Sequence, residues 1–163
     1  MTSTATTKQK YQQTDCPVNS YNEWSPLEEV IVGRLEHAGF PANHISIHAT
    51  IPKSLSKLLA FLGSRRYPQF LIKQANKELD EFIHILESEG IRVRRPDIMD
   101  FGITFKTPYW KSKGLCSACP RDGLLVLGDE ILETPMAWRS RYFELHAYQK
   151  LLIEYFKKGA KWT

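Results

Sequence analysis

Two short runs, Val30-Ile31-Val32-Gly33 and Leu125-Val126-Leu127-Gly128, set the reading of this chain. Each is an apolar stretch stopped by glycine, the pattern of a strand that is buried and then turns. Beyond the first run, Ile72, Ala75, Leu79, Phe82, Ile83 and Leu86 recur at three- and four-residue steps and share one helical face. Gly90 ends that helix, and Ile91 to Arg95 alternate as a strand before Pro96. Around the second run, Leu124 to Leu127 lead through Gly128 and Asp129 into Ile131 and Leu132, which predicts a tight hairpin. After Pro135, the stripe Leu145, Tyr148, Leu152, Tyr155 and Phe156 predicts another helix, which Gly159 ends. Ala160 to Thr163 then begin a strand.

The two halves therefore share an order: apolar run and glycine, helix, then Glu89-Gly90-Ile91-Arg92-Val93 against Lys158-Gly159-Ala160-Lys161-Trp162. This is an internal repeat of a β-α-β module. The first copy carries an irregular insert from Arg34 to Tyr67, where His44 to His48 alternate like a strand and Ser54 to Leu62 resemble a short helix. Modules of this kind bury their faces against one another, and two copies are too few to finish such an array. Lys161-Trp162-Thr163 stop within the last strand, so the expectation is a chain cut from a longer repeat.

With 163 residues, 42% apolar and 25% charged, the composition is that of an ordinary globular protein and excludes wholesale disorder. Residues 1–16 read as a disordered tail, rich at first in Thr, Gln, Lys and Ser, and residues 17–163 as the folded part. The net charge of +4 does not by itself argue for nucleic acid. Arg92, Arg94 and Arg95, with Arg65 and Arg66, form a candidate basic patch. Val93, however, alternates with Arg92 and Arg94 as on a strand with one wet face, and no stacking aromatics are interleaved, so no nucleic-acid partner is expected. The start of the chain has neither a secretory h-region nor an Arg-rich transit pattern, and no apolar run approaches the roughly 20 residues that span a bilayer. A cytoplasmic location with no membrane partner is expected.

Cys116 and Cys119 form a C-x-x-C pair, which raises zinc binding and thiol redox chemistry. Tetrahedral zinc needs a second ligand pair, and His37, His44, His48, His84 and His146 are scattered. A lowered thiolate pKa needs the start of a helix, whereas Pro120-Arg121-Asp122 before an apolar run reads as a turn into a strand. Reduced thiols are expected, with no metal and no cofactor.

Longer blocks carry more information than these motifs. Pro17-Val18-Asn19-Ser20-Tyr21-Asn22-Glu23-Trp24-Ser25-Pro26-Leu27-Glu28-Glu29-Val30-Ile31-Val32-Gly33-Arg34, Gly90 through Asp97, Pro120-Arg121-Asp122, and Pro135-Met136-Ala137-Trp138-Arg139-Ser140-Arg141 running on to Lys158-Gly159-Ala160-Lys161-Trp162-Thr163 resemble the amidinotransferase family over nearly everything after Cys16. The resemblance implies an α/β propeller of five-fold pseudosymmetry built from ββαβ modules, roughly two of them present here. It also implies a reaction in which a cysteine thiolate takes the amidino group of L-arginine, ornithine leaves, and an amine acceptor receives the group. That acceptor is glycine or the amine of a natural-product or toxin precursor.

By the same resemblance Asp122 matches the substrate-binding aspartate of the family's Pro-Arg-Asp motif. Read from the residues alone, Asp122 is a turn aspartate capping the strand at Leu124. Arg121 beside it is a candidate partner for a substrate carboxylate, although a structural ion pair is the commoner fate of such a residue. The family's nucleophile, catalytic histidine and its partner aspartate lie in later modules. Cys16, Cys116 and Cys119 match none of those positions, and His84 and His146, on the predicted helices, read as surface groups. The expectation is an N-terminal fragment of an amidinotransferase, inactive as it stands, whose full-length form is a homodimer. The alternative is a half-propeller that serves as a binding or regulatory subunit.

Overall fold

A computed structural model describes residues 16–163, so the tail expected over residues 1–16 lies, apart from Cys16, outside the described residues. In chain order the elements are β1 (Glu29–Ile31), β2 (Arg34–Gly39), α1 (Ile45–Thr50), α2 (Lys53–Leu62), α3 (Gln69–Ser88), β3 (Arg92–Arg94), β4 (Phe105–Lys106), β5 (Lys111–Ser112), β6 (Leu115–Ser117), a single helical turn α4 (Pro120–Gly123), β7 (Leu124–Leu127), β8 (Glu130–Glu133), a 3-10 segment (Arg139–Tyr148), α5 (Gln149–Lys157) and β9 (Lys161–Trp162). The class is mixed α/β.

Two parallel pairs organise it. β1 lies beside β3, with Val30 opposite Val93, and β8 lies beside β9, with Ile131 opposite Trp162. Parallel neighbours need a crossover, which α3 supplies in the first case and the 3-10 segment with α5 in the second. β7 adds the third strand of the β7-β8-β9 sheet as the antiparallel arm of the expected hairpin, and β2 pairs antiparallel with β6.

The pairing shifts the equivalence of the two halves. The strand that precedes Gly33 pairs with the strand after its helix, but in the second half it is the strand following Gly128 that does so. The two glycines differ in purpose. Gly128 has φ +60, a conformation costly for side chains, and folds the chain back into a hairpin. Gly33 is needed for room, because a Cβ there would lie 2.2 Å from the Ala118 carbonyl oxygen as the chain runs on to pair β2 with β6.

Three further readings change. His44 to His48 do not form a strand. The imidazole Nδ1 of His44 accepts from the Ser46 N–H at 3.1 Å and caps α1, so a local cap overrides alternation. The helix expected after Pro135 is split between 3-10 and α segments, and its buried residues in α5 are Leu151, Leu152 and Tyr155, with Phe156 exposed. Pro120 to Gly123 form one helical turn with proline at its start, where its missing N–H costs nothing.

The core joins Val18, Leu124, Ile131, Ala147, Tyr148, Leu151, Leu152, Tyr155 and Ala160, with Ile31, Met99, Leu145 and Trp162 packed against it. Among the described residues no helix is long and apolar enough to cross a membrane. The arginines of the candidate basic patch are engaged locally: Arg92 with Glu29, Arg94 with Glu29 and Glu154, Arg95 with Asp80, Arg66 with Asp100, and Arg65 over the Phe61 ring.

Candidate functional site

Asp122 lies on α4, a turn too short to hold a side chain by itself. Its backbone is fixed from the strand side: the Thr134 hydroxyl donates to the Asp122 carbonyl at 2.7 Å, and the Thr134 N–H donates to the Gly123 carbonyl at 2.9 Å. Gly123 sits close under Leu145 and Met136, where an added Cβ would come within 2.7 Å of Leu145 Cδ2. Close packing thus sets the height of the turn above the 3-10 segment.

The Asp122 carboxylate is held from the other side. Arg141 Nη1 donates to Asp122 Oδ2 at 2.8 Å, while Arg141 Nε donates to Glu144 Oε2 at 3.0 Å and Nη2 lies in ion-pair contact with the same oxygen at 2.9 Å. Glu144 is 3% exposed, Arg141 half-buried and Asp122 exposed, so a buried carboxylate anchors a guanidinium whose far edge reaches the surface. Burial raises the Glu144 carboxyl, against the pull of Arg141 and of the Cys116 backbone amide. Burial also works against the charge of Arg141, but its bonds to Glu144 and Asp122 outweigh this and raise its pKa. Removing Arg141 alone would strand a buried carboxylate, a cost of about 3–5 kcal/mol.

With all three groups charged, two carboxylates face one guanidinium and a single negative charge is left over. The Asp122 side chain is half exposed, and its Oδ1 makes no hydrogen bond among the described residues. The set can bind a further cation.

Neighbouring groups are chemically quiet. Burial pushes the Cys116 thiol up to about 11 and raises Cys119, so neither favours the thiolate. Tyr148, buried beneath, donates its hydroxyl to the Ser117 carbonyl at 2.6 Å. No group of three or more His, Cys, Asp or Glu able to hold a metal ion occurs among the described residues. His84 and His146 are exposed, and Arg121 is exposed and without an ion pair among the described residues. The cation beside Asp122 is thus Arg141 and not its sequence neighbour. Sequence reasoning also missed Glu144 and Thr134. The one signal for Glu144 was that it lies with Arg141 inside the long block after Pro135; Thr134 lies outside it.

No protein-family model matches the chain. Glycine amidinotransferase, mitochondrial, of Xenopus tropicalis is 46% identical over 149 residues, 91% of this chain and 35% of that protein. L-arginine:L-lysine amidinotransferase of Pseudomonas savastanoi pv. phaseolicola is 48% identical over 147 residues, 90% of this chain and 41% of that protein. Among solved structures, SxtG, an amidinotransferase from Microseira wollei in the saxitoxin biosynthetic pathway, matches with a TM-score of 0.79 at 53% identity, over 91% of this chain and 41% of SxtG. Inosamine-phosphate amidinotransferase of Streptomyces griseus matches with a TM-score of 0.79 at 41% identity, over 90% of this chain and 42% of that chain. The chain therefore spans well under half the length of the relatives it matches, and over that span it is similar to amidinotransferases in sequence and in fold.

Proposed function

We propose that this chain is the N-terminal part of an amidinotransferase and that Asp122 binds the guanidinium of L-arginine in it. The observation that carries the reading is the exposed Asp122 carboxylate, whose Oδ1 makes no hydrogen bond among the described residues while its Oδ2 is held by Arg141. A guanidinium is a planar cation with donors in a fork, and a carboxylate held in a fixed plane is its natural partner. In the proposed reaction a thiolate from outside this chain forms an S–C bond to the guanidinium carbon. The C–N bond to ornithine breaks, and the leaving amine takes up a proton. A primary amine acceptor, glycine or a natural-product precursor amine, then forms a C–N bond as the C–S bond breaks. Cys116 and Cys119 match none of the positions of the family's nucleophile, and they take no part in this reading. The propeller of five ββαβ modules, with roughly two supplied here, is the fold that goes with this reading, and a cytoplasmic homodimer its expected setting.

Titrating L-arginine into the 163-residue chain tests the site. Binding in about the millimolar range is expected, with amide shifts centred on Asp122 and Gly123, loss in Asp122→Asn, and a weaker response to L-ornithine, which offers an ammonium in place of the planar guanidinium. Equal binding by Asp122→Asn would sink the assignment.

A further inference from the structure

We propose that Arg141 and Glu144 act as a positioning pair that locks the Asp122 carboxylate with Oδ1 directed outward for a guanidinium ligand, an inference that rests on the reading of Asp122 as the arginine site. Two accounts of Arg141 compete. In the first it is a plug, occupying the carboxylate that arginine would need. In the second it is a fixture that takes only one oxygen and aims the other.

The geometry favours the fixture. Arg141 spends Nε and Nη2 on Glu144, which is 3% exposed, and commits a single donor, Nη1, to Oδ2 of Asp122. A plug must swing away to admit substrate, but Arg141 cannot leave without stripping a buried carboxylate of its cation. The rigid guanidinium plane carries the orientation of Glu144 through to Asp122, which a flexible ammonium does not do. α4 itself is only four residues long, and Thr134 fixes its backbone without touching the carboxylate. The side-chain direction is therefore left to Arg141.

The double variant Arg141→Gln with Glu144→Gln separates the accounts. It removes one positive and one negative charge, so the cluster keeps its net charge and no buried ion is left unpaired. Three-bond couplings of the Asp122 side chain, read without ligand, should report one χ1 rotamer in the unaltered chain and averaging in the variant. L-arginine affinity should fall about tenfold. Arg141→Lys, which keeps the charge but not the fork, should fail to restore either. Unchanged couplings in the double variant would overturn the lock, and so would averaging with equal or tighter arginine binding, the result a plug requires. No arginine binding by the unaltered chain overturns the guanidinium reading instead, and the ligand-free couplings tell the two failures apart.

Discussion

The units β1-α3-β3 and β8-α5-β9 have the same plan, a parallel pair bridged by a helix, yet they differ in how much of the helix is covered. On α5, Leu152 is 1% and Tyr155 4% exposed. On α3 only Ile72 is buried, and Phe82 on the same stripe is 49% exposed. Equal amphipathic periodicity therefore does not mean equal stabilisation, because an apolar side chain contributes only in proportion to the area another element removes from water. The second unit lies against Val18, Leu124 and Ala147, while much of α3 faces outward.

Polar groups join the two units where apolar packing is thin. The Tyr155 hydroxyl donates to Glu29 on β1, and Arg94 on β3 pairs with Glu154 on α5. Glu29 also accepts from Arg92, so the first strand pair is bound to the second helix through a shared acidic centre.

The sharpest challenge to this contrast is Leu152→Ala, which should cost about 2–5 kcal/mol, since it leaves a cavity at the centre of the core. A loss below about 1 kcal/mol by denaturant unfolding would mean that α5 is not where the stability resides. A smaller effect is expected from Glu154→Gln, and it should depend on pH. Hydrogen bonds from Arg94, then Lys158, hold the Glu154 carboxyl at about 2. A carboxyl depressed in the folded state adds stability above its unfolded pKa and loses it as pH falls through the folded value. The gap between Glu154→Gln and the unaltered chain should thus be full at neutral pH and close as pH falls from 4.5 toward about 2. A gap constant over that range would remove the pairing as its cause. The smallest effect should be that of Phe82→Ala, within about 0.5 kcal/mol, as for surface substitutions generally. A loss comparable to that of Leu152→Ala would show that the α3 stripe is covered in solution.

Much of the architecture was legible because its signals are local. The hairpin at Gly128 and Asp129 and the helix ends at Gly90 and Gly159 follow from short-range rules, with φ of +60, +79 and +96 at the three glycines. His44 failed for the complementary reason, since a side-chain cap two residues long defeats an alternation of which only one apolar member, Ile47, is buried while Ile45 is exposed. At the candidate site, Asp122 was singled out by its place in the Pro-Arg-Asp block. Its partner stands 19 residues away, and nothing in that interval prefers Arg141 over adjacent Arg121.

The residues alone determined the strands and helix of the first parallel pair, the β7-β8 hairpin, the glycine turns at Gly90, Gly128 and Gly159 and the likeness to amidinotransferases, because periodicity, glycine and long matched blocks are properties of neighbours in sequence. Tertiary structure decided which strand pairs with which, which of two similar helices is buried, and which arginine grips Asp122. Those choices depend on what lies across the gap, and that is set by packing between segments far apart in the chain.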